Sequence, residues 1–225
     1  CNTASAQALK NIQQLDLPAR WPDRRVLGVI RPSVEALAGL PPATPPALRK
    51  PDISGGSVAV LATRGTVASN SYALEMAKLA PGLKLVQQAC PLWVPLIEAG
   101  ELSGPGTEHF VRLYLEPLFK SPDVPKRILL GCTHYPLLLP LILPTVRALA
   151  PGGVQVISQG EVVAERLEDW LKRHPEMDAR LGRGAPVGER RFATTDDAIW
   201  FAESGERILG TPITAENVEL RPVEN

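Results

Sequence analysis

Net charge, cysteine and long apolar runs are all scarce in this chain of 225 residues. Its 24 Lys and Arg are matched by 24 Asp and Glu, so the formal charge is zero. Such a chain has no field with which to hold a polyanion, and nucleic acid is not an expected partner. The densest apolar stretch, Leu137 to Leu143, is interrupted by Pro140. It falls far short of the roughly 20 residues that cross a bilayer, so no membrane partner is expected either. The cysteines are only Cys1, Cys90 and Cys132. Three so widely spaced make neither a disulfide framework nor a zinc site, and no metal is expected. A sparse, odd set suits a reducing cytoplasmic setting, where a thiol is either core filler or chemistry.

The chain has what a folded core needs. Apolar residues make up 44% and charged residues 21%, close to globular averages, which excludes disorder along the whole length. The length suits one large or two small domains. Proline is abundant at 23 residues and clusters at Pro41, Pro42, Pro45, Pro46 and Pro51. That marks residues 38–56 as an aperiodic insertion or surface loop. Further breaks are expected at Ser121 to Pro125 and Arg180 to Arg190.

Short apolar runs alternate with helical patterns elsewhere. Strands are predicted at Val26 to Ile30, Ser57 to Ala62, Leu83 to Gln87, Arg127 to Leu130, Val154 to Ile157 and Arg191 to Thr194. Helices are predicted at Thr3 to Leu15, Thr66 to Leu79, Pro91 to Ala99, Thr107 to Phe119, Pro136 to Leu149, Glu161 to Arg173 and Asp196 to Leu209. Continuous apolar strands separated by helices indicate an α/β fold, its mainly parallel sheets flanked by helices on both faces.

Two thiols stand where such a fold places ligands. Cys1-Asn2-Thr3-Ala4-Ser5 opens a helix, and Gly131-Cys132-Thr133-His134-Tyr135-Pro136 joins a buried strand to the next helix. Strand-to-helix junctions form the carboxyl edge of an open sheet, where free N–H groups and the helix dipole favour a thiolate or bind a carboxylate. Asn2, Thr3 and Thr133 would add side-chain donors beside each sulfur. Two thiols facing one another across a cleft could invert an amino acid. One thiolate would take the α-proton while the opposite thiol returns a proton to the other face. No electron-sink cofactor is required for that step. Taken singly, each residue also has a plain structural reading: Cys132 as core, His134 as an ordinary surface or core histidine, Thr133 as a helix cap.

Together these strings carry a resemblance. Cys1-Asn2-Thr3-Ala4-Ser5 and Leu130-Gly131-Cys132-Thr133-His134-Tyr135-Pro136-Leu137-Leu138 closely resemble the two signature segments of glutamate racemase, of the aspartate/glutamate racemase superfamily. The likeness continues through Ala62-Thr63-Arg64-Gly65-Thr66-Val67-Ala68-Ser69-Asn70-Ser71-Tyr72, Ala89-Cys90-Pro91-Leu92-Trp93-Val94-Pro95-Leu96-Ile97-Glu98, and the tail from Phe192 to Gly210. It implies a cofactor-independent racemase that interconverts L- and D-glutamate and supplies D-glutamate for peptidoglycan, often as a homodimer. By motif match Cys1 and Cys132 are the paired thiols, and His134 assists Cys132. Asn2, Thr3, Thr63, Thr66 and Thr133 bind substrate. Glu98 matches a family active-site carboxylate, although it also reads as a solvated residue ending its helix. Cys90, set among Leu92, Val94 and Leu96, reads as core. The implied architecture is two pseudo-symmetric lobes with the active-site cleft between them: residues 1–25 and 158–225 in the first, 26–157 in the second.

Two departures accompany the likeness. The family pattern has an opening section ahead of the first thiol, with an Asp-Ser-Gly segment and a Tyr-Gly turn; two βα units of that kind amount to roughly 60–70 residues. The expectation is that the intact protein racemises glutamate and this chain alone does not. Val156-Ile157-Ser158-Gln159-Gly160-Glu161 also differs from the Asp-Ser pair seen before this helix in relatives. Competing readings are an aspartate or hydantoin racemase of the same superfamily, and a non-catalytic relative that binds an amino acid.

Overall fold

The computed structural model describes residues 1–45, 48, 50–52, 56–181 and 190–220. Parts of two predicted loops, at residues 46–47, 49, 53–55 and 182–189, lie outside them. The described chain forms two compact units, Cys1–His174 and Pro175–Asn225.

Four strands make the sheet of the first unit: β1 (Ser57–Ala62), β2 (Lys84–Ala89), β3 (Pro125–Leu130) and β4 (Gln155–Ser158). They lie in the order β2-β1-β3-β4, all parallel. Every residue of β1 is buried, as a central strand covered on both faces requires. Alternation along the strands divides the core. Val58, Val60, Ala62 and Leu129 face one apolar cluster; Ala59, Leu61, Ile128 and Leu130 face the other. Each buried aliphatic side chain is worth about 1.5–3 kcal/mol relative to exposure.

Helices cover both faces. The chain opens with α1 (Asn2–Gln7), α2 (Leu9–Asn11), a π turn (Ile12–Asp16) and α3 (Leu17–Arg20), followed by α4 (Ile30–Ala38). After β1 come α5 (Arg64–Ala68) and α6 (Ser71–Leu79), broken at Asn70, whose φ of 54° is left-handed. After β2 come α7 (Trp93–Glu98) and α8 (Pro105–Lys120). A 3₁₀ turn (Tyr135–Leu138) leads from β3 into α9 (Leu139–Leu149), and α10 (Gln159–Arg173) follows β4. Pro140, which interrupts the apolar run, sits in the first turn of α9, where a missing N–H costs nothing.

The second unit holds α11 (Pro175–Asp178), α12 (Ala198–Leu209) and a parallel pair, β5 (Phe192–Thr194) with β6 (Ala215–Asn217). Asp197 caps α12 by accepting from the backbone N–H groups of Ile199 and Trp200, both at 2.8 Å.

The structure corrects one predicted strand. Residues 26–29 are irregular, and Ile30 begins α4. The run looks β-like in composition, but among the described residues no strand pairs with it, and the carbonyl of Val26 accepts instead from Gln13 Nε2 at 2.6 Å. The helical signal lay just downstream: Ile30, Val34, Leu37 and Ala38 are buried at a spacing of one helix face. Gly39, at φ 67°, ends α4 in the left-handed conformation that glycine adopts without strain. The far end of the insertion is tied down by Arg127, whose guanidinium grips the Asp52 carboxylate at 2.6 and 2.7 Å.

Gly131 is needed for close approach. A Cβ there would stand 2.9 Å from Val60 Cγ1 and 3.0 Å from the carbonyl oxygen of Leu61. The Gly131 N–H bonds that same carbonyl at 2.8 Å, so the backbone cannot retreat without losing the bond. Gly131→Ala is therefore expected to lower unfolding free energy by about 1–3 kcal/mol, the cost of overpacking, measured by denaturant titration.

Candidate active site

The order β2-β1-β3-β4 places a topological switch between β1 and β3: the chain leaves β1 toward one sheet edge and β3 toward the other. Open α/β sheets bind ligands outside the strand ends at such a point. Thr63 follows β1 directly, and Cys132 lies two residues beyond β3.

Thr63 caps α5, accepting at Oγ1 from the Thr66 N–H at 3.3 Å and donating its own hydroxyl to Thr66 Oγ1 at 3.1 Å. Thr3 of α1 joins them, with Oγ1 3.3 Å from each of those two hydroxyls. Three hydroxyls from the first helix and the end of β1 thus form one cluster, two residues along from Cys1.

Cys132 stands at the start of the 3₁₀ turn and is buried, while Cys1 is exposed. Burial pushes the Cys132 thiol above its ordinary range, and the nearby Glu98 carboxylate adds to the rise. Bonds from the backbone N–H groups of His134 and Tyr135 oppose it without prevailing. Backbone N–H groups do turn toward the sulfur at this junction, that of Tyr135 also donating to the Cys132 carbonyl oxygen at 3.2 Å, but desolvation outweighs them. His134 Nδ1 lies 3.8 Å from Cys132 Sγ, and its Nε2 lies 3.3 Å from Glu98 Oε1. The order carboxylate, imidazole, thiol therefore runs from the end of α7 to the end of β3. Thr133 beside them is exposed and does not cap the turn, whose first residue follows His134 without a side-chain bond.

Cys90 is core, as its apolar neighbours implied. It is wholly buried, its thiol is pushed up by desolvation, and its carbonyl accepts from the Tyr135 hydroxyl at 3.1 Å. Among the described residues no group of three or more His, Cys, Asp or Glu is arranged to hold a metal ion. Nor is any described helix long and apolar enough to cross a membrane. A groove of about 1020 Å³ lies among α1, α4, α6 and α10, and none of the nine candidate residues lines it.

Asn2 is turned inward. It is 3% exposed, and its amide is engaged by Gln159 at the start of α10 and Tyr72 of α6. Sequence reading gave Gln159 and Tyr72 no role and passed over Ser33, which completes this group. The signal was present in part: Gln159 opens the helix after a strand, the same junction that drew attention to Thr63 and Cys132.

No family model matches the chain. Whole proteins do. It is 41% identical over 214 residues to glutamate racemase of Ruegeria pomeroyi, covering 95% of this chain and 73% of that protein. With glutamate racemase of Paracoccus denitrificans it shares 39% over 223 residues, covering 96% and 74%. Among solved structures, a glutamate racemase isoform from Bacillus anthracis superposes with a TM-score of 0.78 at 29% identity, over 98% of this chain and 72% of that one. The Francisella tularensis glutamate racemase, solved in complex with D-glutamate, gives 0.75 at 27% identity, over 98% and 71%. A parallel α/β sheet with Cys132 and the threonine cluster at its switch point, together with identity sustained along nearly the whole sequence, leads to one conclusion: the chain belongs to the glutamate racemase family.

Proposed function

We propose that the protein carrying this chain interconverts L- and D-glutamate, with Cys1 and Cys132 as its acid/base pair and no cofactor. The observation that supports this is the meeting of two thiol-bearing segments at one sheet edge. Thr3, two residues from Cys1, bonds the hydroxyls that follow β1, and Cys132 follows the neighbouring strand. The bound amino acid loses its α-proton to one thiolate, which becomes a thiol. The electron pair left on carbon spreads into the carboxylate, and the opposite thiol delivers its proton to the other face, becoming the thiolate. The C–H bond is restored inverted, and the two sulfurs have exchanged states.

His134 assists Cys132 as a proton carrier oriented by Glu98. Thr3, Thr63 and Thr66 offer hydroxyls to the substrate carboxylates, joined by Thr133 and by the backbone N–H of Asn2 at the head of α1, whose side-chain amide is already taken up by Gln159 and Tyr72, and so stabilise the charge that develops. In this reading residues 1–25 and 158–225 form one lobe and 26–157 the other. The enzyme works in the cytoplasm as a homodimer and feeds D-glutamate to peptidoglycan.

The test is to incubate the natural gene product with L-glutamate, and separately with L-aspartate, without added cofactor, and to separate the enantiomers. D-glutamate is the expected product. Turnover of aspartate alone would make this a racemase of different specificity. Glutamate binding without inversion would make it a binding protein.

A further inference from the structure

The group around Gln159 is built more tightly than helix packing needs. Gln159 is 5% exposed and Asn2 3%, while Ser33 and Tyr72 are wholly buried. Asn2 Nδ2 donates to Gln159 Oε1 at 2.6 Å, and Gln159 Nε2 donates back to Asn2 Oδ1 at 3.1 Å, a reciprocal amide pair. The Tyr72 hydroxyl donates to the same Asn2 oxygen at 2.6 Å. Gln159 Nε2 also reaches Ser33 Oγ at 2.6 Å and the Tyr72 hydroxyl at 3.1 Å. Four elements, α1, α4, α6 and α10, therefore converge on two amides. Neither amide can flip without setting donors against donors, which in a buried site forfeits the bond and leaves a desolvation penalty as well.

What this fixes is the first turn of α1. Cys1 is the N-cap of that helix and makes no side-chain cap bond; its carbonyl accepts from the Ser5 N–H at 3.1 Å. Asn2 is the only buried residue of α1, so its side chain is the anchor that sets where Cys1 lies. We infer that Gln159 is a positioning residue for proton transfer by Cys1, acting through its locked amide pair with Asn2. This rests on the proposed racemase reading. A displacement near 1 Å at a reacting group can cost about 10²-fold in rate, so a small shift of α1 matters.

The experiment takes the natural enzyme and two variants, Gln159→Leu and the nearly isosteric Gln159→Glu, which cannot donate to Asn2 or Ser33. Inversion and exchange of the α-hydrogen are followed together in deuterated water, with each enantiomer as substrate. Inversion is expected to fall on the order of 10- to 10²-fold. For the enantiomer whose proton Cys132 removes, exchange per inversion rises, because the proton leaves and the opposite thiol is misplaced to return one. Cys1→Ser shows the same one-sided pattern in stronger form. If either folded variant has a lower melting temperature but the wild-type ratio of exchange to inversion for both enantiomers, Gln159 is structural only and the inference fails alone. Absence of racemisation by the wild type removes the proposed function and this inference together.

Discussion

Cys132→Ser is expected to lower kcat/KM for racemisation by on the order of 10²–10⁴-fold, the span that positioned acid/base groups supply. The substitution exchanges sulfur for a smaller oxygen in a site that is 8% exposed, so the fold persists and the loss is chemical. A serine hydroxyl ionises far too weakly to abstract the α-proton, and the reverse transfer fails for the same reason. Both directions must fall together, since two enantiomers have equal free energy in water and kcat/KM is bound to be the same from either side. The pH profile adds a sign. The reaction needs one thiolate and one thiol, so activity falls when the second thiol loses its proton. Burial and Glu98 raise the Cys132 thiol, which places this alkaline limb above the ordinary thiol range near pH 8.5. The limb belongs to the coupled pair and not to one sulfur. Glu98→Gln removes a negative charge that holds the thiol up, and should move the limb toward neutral pH. A limb unchanged by that substitution, or a Cys132→Ser enzyme of wild-type rate, would sink the thiol mechanism.

How much of this was legible in advance follows from what each feature depends on. The strands β1 and β3 announce themselves because Val58–Leu61 and Ile128–Leu130 are apolar without interruption, a pattern only a doubly covered strand requires. Cys132 was legible because its junction combines a glycine, a thiol and a proline-opened turn, each with a local reason. The strand predicted at Val26 to Ile30 failed because composition at that point suits a strand while pairing partners are decided by the whole sheet. β6 was missed because Ala215–Asn217 has no apolar alternation to betray it. The network around Gln159 was invisible for a deeper reason. Its members are separated by 31 to 157 positions, and a buried amide pair depends on geometry that no single stretch encodes. Sequence reading therefore found the groups proposed to meet the substrate more readily than the groups that hold them.

Trp93→Ala should produce the largest loss of stability, about 3–5 kcal/mol, the range for removing a buried aromatic ring. Trp93 is fully buried at the start of α7 and donates from Nε1 to the carbonyl oxygen of Phe110 at 3.2 Å. Its ring meets Tyr135 edge-on with centroids 4.8 Å apart and Tyr114 at 6.0 Å. Against a total stability of about 5–15 kcal/mol for a domain, such a loss takes a large share. Trp93→Phe separates the contributions: it keeps most of the ring and gives up the bond to Phe110, at a cost nearer 1–3 kcal/mol. Denaturant unfolding followed by circular dichroism reads both, and a loss below about 1 kcal/mol for the alanine variant contradicts the packing described. The consequence extends to the site. Tyr135 rests on Trp93, its hydroxyl holds the carbonyl of Cys90, and its backbone N–H is one of two that face the Cys132 sulfur. A cavity beneath Tyr135 loosens that turn. At temperatures where Trp93→Ala remains folded, its racemase rate should fall further than that of Trp93→Phe, because the same ring that anchors the core also holds the turn that carries the buried thiol.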